Sequence, residues 1–395
     1  MFTQQLFELA LHIQEPWYVK DIQFNTENKR LDIHIDFRKG SVFHYESEKE
    51  NINGDFKACD TELKEWRHLN FFEHECYLHA RVPILDIAGN TQRLLNPPWA
   101  GLGNGFTLLF EVLVLQLASH MPVHTVSKLT KVSDYKIWSM LERYVDQALA
   151  KNDYSDLTAV GMDETSKSKG HDYITIFVDL LKKRTIFIAE GKDHKTVTAF
   201  VDDLQEHNAS ADQIKDVSCD MSKAFIKGVE NNLPKADITF DRFHIMKIIN
   251  IAVNDVRKQE AQTQSILKDS RYVFLKNEKN LTDKQRQKRQ EISMSKLNLK
   301  SMKALHIRES FQEIYSAPIP ELFESRLKEW YFWATHSRIQ PIIEAAHTIK
   351  EHWNGVLNWN KSRINNGLLE GLNSLIQAAK AKARGFRSFR CFRIV

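Results

Sequence analysis

Three acidic residues in this chain close runs that read as β-strands, and a fourth lies inside a helical pattern. Asp163 closes Thr158-Ala159-Val160-Gly161-Met162, Asp220 closes Ile214-Lys215-Asp216-Val217-Ser218-Cys219, and Asp241 closes Ile238-Thr239-Phe240. Glu370 lies in Gly367-Leu368-Leu369-Glu370-Gly371-Leu372-Asn373. Carboxylates delivered from neighbouring strand ends and one helix can share a pair of hard divalent cations, which prefer oxygen ligands. Two such ions flanking a phosphate serve an in-line displacement on nucleic acid. Metal-dependent phosphoryl transfer is therefore the chemistry to which the pattern points.

The segments between these residues specify a topology. Asp172–Asp179 and Arg184–Ala189 are β-rich runs joined by a short lysine-containing turn, which predicts an antiparallel hairpin. A helix over Thr196–Glu206, the strand ending at Asp220, a helix over Lys223–Asn231 and the strand ending at Asp241 follow. Three antiparallel strands followed by α-β-α-β is the order of a ribonuclease H-like fold. Its first and fourth strands lie side by side, so Asp163 and Asp220 are expected to meet at one edge of the sheet.

Upstream, residues 1–100 alternate in period two, as in Leu31–Phe37 and Tyr77–Val82, and predict a β-rich domain. The polar stretch Glu46–Asp55, ending in Asn53-Gly54, reads as a turn or loop. Cys59 and Cys76 are isolated, and His68, His74 and His79 do not complete a ligand quartet, so no structural zinc is expected. Residues 101–150 follow Pro97-Pro98-Trp99 with an apolar helix over Thr107–His120, a short one over Val123–Leu129, and a longer one from Asp134 that Ser133 caps. Short helix, tight turn and longer helix make a helix-turn-helix pattern, with Lys128, Lys131 and Lys136 as candidate DNA contacts. Many helical hairpins share this spacing, and the turn has no glycine. From about Phe243 to Trp359 the pattern is helical and charged; its aromatics, Trp330 to Trp333 among them, read as core, with a minority free to stack on unpaired bases.

A length of 395 residues implies several domains, and an apolar fraction of 42% with 27% charged residues is that of a globular protein. No run of about 18 apolar residues occurs, so no membrane span is expected. Four cysteines without C-x-x-C spacing point to a reducing cytoplasm. Charge is unevenly spread: residues 271–303 hold ten bases against three acids, and the chain after Glu370 holds six bases and no acid. Such blocks suit a phosphate backbone, or else form solvated helix faces.

On the helix of Glu370, the residues Leu368, Leu372, Leu375, Ile376 and Ala379 form an apolar stripe, with Glu370, Asn373, Gln377 and Arg384 on the polar one. A carboxylate in the first turn of a helix that becomes strongly basic suits a metal, while Lys380, Lys382, Arg384 and Arg387 suit DNA phosphates. Asp241 and His244 form a D-x-x-H at a strand–helix junction. Spacing leaves two readings open: a functional pair, or an N-cap aspartate with a first-turn histidine.

Gly161-Met162-Asp163-Glu164, Asp220-Met221-Ser222, Phe240-Asp241-Arg242-Phe243-His244 and Asn366 through Asn373 resemble the motif blocks of a DDE transposase, nearest to the ISL-three family of bacterial insertion sequences. The resemblance extends to Trp66-Arg67-His68-Leu69, Pro98-Trp99-Ala100, Gly105-Phe106-Thr107 and Ala383-Arg384-Gly385-Phe386-Arg387. It implies a multidomain α+β chain: an end-binding domain over 1–100, a helix-turn-helix over 101–150, a ribonuclease H-like core over 151–254 and 360–395, and a helical insertion over 255–359. By the same resemblance Asp163, Asp220 and Glu370 are the ligands of two Mg2+ or Mn2+ ions, with Asp241 and His244 beside them. The implied activity is cleavage and strand transfer of double-stranded DNA, both element ends and target, in the bacterial cytoplasm at the nucleoid. Paired cleavage makes a homodimer or higher oligomer on DNA the expected assembly. Relatives carry a Cys/His zinc finger where this chain has Val42–Glu48 and Val82–Ile87, which lack the cysteines. A DNA-end-binding regulator without catalysis and a structure-selective nuclease of the same fold are the competing readings.

Overall fold

The computed structural model describes residues 2–47, 50–87, 91–103, 105–166, 173–295, 297–362, 367–382 and 388–394. The chain divides into two compact units, Met1–Lys151 and Asn152–Arg393.

The first unit opens with α1 (Phe2–Ala10) and continues as β1 (Trp17–Asn25), β2 (Arg30–Phe37), β3 (Val42–Ser47), β4 (Ile52–Phe71), β5 (His74–Asp86) and β6 (Gln92–Leu94). These strands form one sheet in the order β1-β2-β5-β4-β3, with β6 on β5; the β2–β5 pair is parallel. Alternate residues point into the core, among them Leu31, Ile33 and Ile35 of β2 and Cys76, Leu78, Ala80 and Val82 of β5. Trp99 packs edge-on against Trp17 and Trp66. Asn53 and Gly54 are not the expected turn: they pair with Glu46 and Tyr45 inside the β3–β4 ladder. The dipeptide favours turns, but strand register decides where the chain reverses.

Arg67, buried in β4, ties the sheet to the next helices. Its backbone N–H donates to Gly105 O at 2.9 Å, and its carbonyl accepts from Thr107 N at 3.0 Å. Thr107 then caps α2 (Leu108–His120), its side chain accepting from Phe110 N. Glu111 on α2 is fully buried, and its carboxylate accepts from Leu102 N and Gly103 N, both at 2.8 Å, and from Tyr144 Oη at 2.7 Å. Gly101 and Gly103 are required there: a Cβ on either would fall within 2.6 Å of that carboxylate. After Pro122 come α3 (Val123–Thr130) and α4 (Asp134–Leu149), closed over Val126, Val132, Ile137 and Met140. The turn between them needs no glycine because Lys131 itself takes the left-handed conformation, at φ 57°. Ser133 sits at the N-cap position of α4 but makes no side-chain capping bond.

The second unit is built on a five-stranded sheet: β7 (Ala159–Ser166), β8 (Tyr173–Asp179), β9 (Arg184–Glu190), β10 (Asp216–Cys219) and β11 (Asp237–Phe240), in the order β11-β10-β7-β8-β9. The pairs β7–β8 and β8–β9 are antiparallel, and β10 runs parallel to both β7 and β11. One face, with Val160, Met162 and Phe177, is covered by α5 (Lys195–Glu206) and α6 (Lys223–Asn232) through Phe200, Phe225 and Val229. The ring of Phe177 stacks on Phe200 at 4.4 Å.

A long helical tract follows: α7 (Arg242–Glu260), α8 (Arg271–Leu275), α9 (Asp283–Met294), α10 (Lys300–Ile314), α11 (Pro320–Thr335), α12 (Gln340–Glu351) and α13 (Trp353–Ser362). Helix α7 runs through position 254 without a break, and among the described residues no strand occurs between β11 and α14 (Gly367–Lys382). Thr282 and Gln285 form a capping box at the start of α9. Of the aromatics, Trp330 is core and donates through Nε1 to Ile307 O at 2.8 Å, whereas Phe332 is 64% exposed. The opposite face of the sheet, with Ile174, Ile176 and Val178, is covered by Ile376 of α14 and by Phe389 and Phe392 of α15 (Phe389–Ile394). Among the described residues no helix is long and apolar enough to cross a membrane.

Glu111→Ala is expected to lower the unfolding free energy of the first unit by about 2–4 kcal/mol, because the buried N–H of Gly103, the half-buried N–H of Leu102 and the Tyr144 hydroxyl all lose their acceptor. Denaturant unfolding followed by tryptophan fluorescence reads this, and a loss below about 1 kcal/mol would contradict the assigned role.

Candidate active site

The ladder between β7 and β10 is short: Ala159, Val160 and Gly161 face Asp216, Val217 and Ser218. Asp163 was expected to close its strand, but β7 continues to Ser166, and Asp163 faces Ile176 of β8. It lies mid-strand, two residues past the last β10 pair, because β8 keeps pairing where β10 stops. Asp220 follows β10 directly and turns the chain into α6, its Oδ1 accepting from Ser222 N at 2.9 Å. The N–H of Asp241 donates to Cys219 O at 3.0 Å, which binds the third acid to the residue preceding the second. Three carboxylates thus leave the C-terminal side of three adjacent strands.

The N-cap reading of the D-x-x-H holds, and the two side chains also meet. Asp241 caps α7 by accepting from Phe243 N through Oδ1 at 3.0 Å, and its Oδ2 lies 3.1 Å from His244 Nδ1. The pair raises the His244 pKa, with the Asp241 hydrogen bond the largest cause and Asp163 and Asp220 adding to it. Burial pushes the Asp163 carboxyl up to about 6; the Glu164 N–H and His244 pull it down, and Asp220 and Asp241 push it up. Asp163, Asp220, Asp241 and His244 therefore form one electrostatic group. Burial, with Asp220 and Asp163 behind it, also raises the Cys219 thiol, which keeps it protonated and inert.

The face of Asp163 is the one that α14 covers, since Ile176 opposite Asp163 and Ile174 opposite Thr165 belong to that side. Gln377 Nε2 donates to Thr165 Oγ1 at 2.6 Å, and Lys380 Nζ donates to Ser166 O at 2.8 Å. The expected stripes on α14 are thereby corrected. Leu375 is 68% exposed, and two polar residues face β7, because this helix closes over the polar end of a strand. Position 370 lies two turns before Gln377 on the same stripe of α14. The side chains of Glu370 and Lys382, and residues 384 and 387 altogether, lie outside the described residues.

The Asp163 group fits a divalent cation. Its donors are hard carboxylate oxygens, and the Asp163 carboxyl, raised chiefly by burial and further by Asp220 and Asp241, is one whose charged form a cation would favour. Among the described residues one trio brings ligand atoms within 4.8 Å of one another, and it is elsewhere: Asp32, Glu65 and His79 of the first unit. There Arg30 already supplies the cation, bonding Asp32 at 2.7 Å and Glu65 at 3.0 Å. Of the candidate DNA contacts on the helical hairpin, Lys128 and Lys136 are exposed, whereas Lys131 Nζ is paired with Glu75 at 2.9 Å.

Comparison with known families decides the assignment. A family described as "Transposase", of the ISL3 DDE type, matches residues 160–395, and the "Helix-turn-helix domain of transposase family ISL3" matches residues 96–145. The chain belongs to the ISL3 transposase family. As a member of that family it is similar to the transposase for insertion sequence element IS1001 of Bordetella parapertussis, at 25% identity over 84% of this chain and 83% of that one. It is also similar to the transposase for insertion sequence element IS1557 of Mycobacterium tuberculosis, at 26% identity over 82% of this chain and 79% of that one. This insertion-sequence transposase thus carries a helix-turn-helix domain that implies DNA binding.

In the metal-free protein, Asp163 has a pKa of about 6 in the fold against 3.8 ordinarily. A raised acid binds its proton more tightly when folded, so its contribution to stability is intact below about pH 4 and lost as pH rises through about 6. Metal-free Asp163→Asn is accordingly expected to melt above the wild type at pH 7, with the difference vanishing near pH 4. Thermal unfolding in a chelator across that range checks this, and an equal or lower melting temperature at pH 7 would contradict it.

Proposed function

We propose that this transposase cuts the ends of its own insertion sequence and joins the freed 3′-hydroxyls to target DNA, with Asp163, Asp220 and Glu370 as the metal-binding triad. The observation that carries the reading is the pairing of β7 with β10, which leaves Asp163 and Asp220 on adjacent strands beneath the helix that bears position 370. The strand order β11-β10-β7-β8-β9 supports reading the second unit as a ribonuclease H-like core over residues 151–254 and 360–395, with 255–359 as insertion.

Two Mg2+ or Mn2+ ions, when bound, would lower the pKa of the attacking water or hydroxyl and stabilise the departing oxygen. The carboxylates of Asp163 and Asp220 would hold those ions at the site. In the first step water attacks phosphorus and the strand's 3′-oxygen leaves with its proton restored; in the second that 3′-hydroxyl attacks a target phosphate and displaces a target 3′-oxygen. His244, its Nδ1 turned to Asp241 and its protonated form favoured, offers Nε2–H to a phosphate oxygen. Residues 1–100 and the hairpin over 101–150, with Lys128 and Lys136 exposed, would hold the inverted repeats. Arg384, Arg387 and Lys382 would engage DNA near the site, whereas Lys380, its Nζ bonded to Ser166 O, holds α14 on β7. Cutting two ends together calls for a second copy of the chain on the DNA.

Asp220→Asn removes a ligand charge and keeps the side chain's shape. Cleavage of a labelled duplex carrying the element end, in Mn2+, is expected to fall at least about 100-fold while binding of that duplex holds. Cleavage at the wild-type rate would leave the DNA-end-binding regulator as the better reading. Lys128→Ala and Lys136→Ala are expected to do the reverse. Each would weaken end binding and lower the slope of log affinity against log salt by about 0.9, one phosphate contact. Unchanged slopes would remove the hairpin from the DNA interface.

A further inference from the structure

Helix α13 rests on the outer edge of β11, the last strand of the sheet. An open edge would leave a row of unpaired backbone groups. Here Asn358 Nδ2 donates to Ile238 O at 3.0 Å, and Ser362 Oγ lies 3.3 Å from Thr239 Oγ1. Gly355 shares that helix face, and a Cβ on it would lie 2.3 Å from Cδ2 and Cε2 of Phe240. Carbon atoms in contact sit about 3.5–4.0 Å apart, so no other residue is accommodated without a shift of the helix. His352 also packs edge-on against the Phe240 ring, at 5.1 Å. A glycine inside a helix is less favourable than alanine by about 1 kcal/mol, so close approach to Phe240 is what its presence accounts for.

The two partners in this contact lie next to the site. Phe240 directly precedes Asp241, and α13 ends at Ser362, five residues before α14 begins at Gly367. The five Cα–Cα steps from Ser362 to Gly367 reach at most about 18 Å, so the seat of α13 on β11 limits where α14 starts. We propose that Gly355 is a positioning residue for DNA cleavage. By letting α13 lie directly on Phe240, it sets the placement of the helix that brings Glu370 to Asp163 and Asp220. The inference rests on the reading of Glu370 as the third ligand.

The test uses the full chain, a duplex carrying the element's terminal sequence, and Mn2+. Gly355→Ala is expected to lower the single-turnover cleavage rate about 100-fold, as a misplacement near 1 Å does, with duplex binding unchanged within about twofold. Phe240→Leu removes the atoms that the new methyl group meets, so Gly355→Ala/Phe240→Leu is expected to recover at least about tenfold of the lost rate. Wild-type cleavage by Gly355→Ala, a loss that Phe240→Leu does not restore, or an equal loss of binding and cleavage would each overturn the proposal. If Gly355→Ala does not fold, the double variant decides: folded and active it sustains the proposal, and folded but inactive it overturns it. Glu370→Gln, run in parallel, isolates the underlying reading: if it cuts normally the triad falls, whatever Gly355→Ala does.

Discussion

Parallel pairing between β7 and β10 holds for three residue pairs and then ends, and the chemistry of the second unit depends on that short ladder. A parallel strand cannot turn back through a tight hairpin; it must leave into a crossover, and here β10 and β11 leave into α6 and α7. Each exit puts an aspartate at a strand end, where its oxygens accept backbone N–H groups of the helix that follows. β7 does not leave, because β8 continues to pair with it, so Asp163 projects from a strand that runs beyond its parallel neighbour. Burial and like charge then converge on one carboxyl and lift its pKa, a state that a cation would relieve.

The helical tract from α7 to α13 stands between β11 and α14 without adding a strand among the described residues. Its helices share one core with the sheet, and polar bonds fix them to one another: Arg308, nearly fully buried, bonds Asn250, Leu275 O and Asn277, and Glu260 accepts from the first N–H groups of α10. Such internal fixation matters because the tract's last helix closes the open edge of the sheet. The long excursion in sequence returns to β11 one residue away from Asp241.

Much of this was legible in the sequence. Strands showed themselves by apolar runs bounded by charge, and the three helices of the hairpin by Pro122 and the periodicity around it. The order of elements from Thr158 to Asp241 is the order observed. What stayed hidden was decided by partners. Thr165 and Ser166 carry no apolar signal, so the extension of β7 past Asp163 could be seen only once β8 was in register. Asn53-Gly54 has turn chemistry but sits in a ladder. Gln377 reads as part of a polar stripe and Lys380 as a DNA contact, yet both meet β7. Lys131 reads as a free cation, yet Glu75, distant in sequence, takes it. Glycines at 101, 103 and 355 looked alike in the sequence; only the neighbours they admit, Glu111 and Phe240, give them separate meanings.

The central claim is that a cation belongs between Asp163 of β7 and Asp220, just past β10. Crystals of the protein bound to an element-end duplex and soaked in Mn2+, examined by anomalous scattering at the manganese edge, test it directly. The account predicts manganese peaks about 2.0–2.3 Å from carboxylate oxygens of Asp163 and Asp220, with Glu370 completing the shell. Manganese absent from that site, or held instead by Asp32, Glu65 and His79, would contradict it.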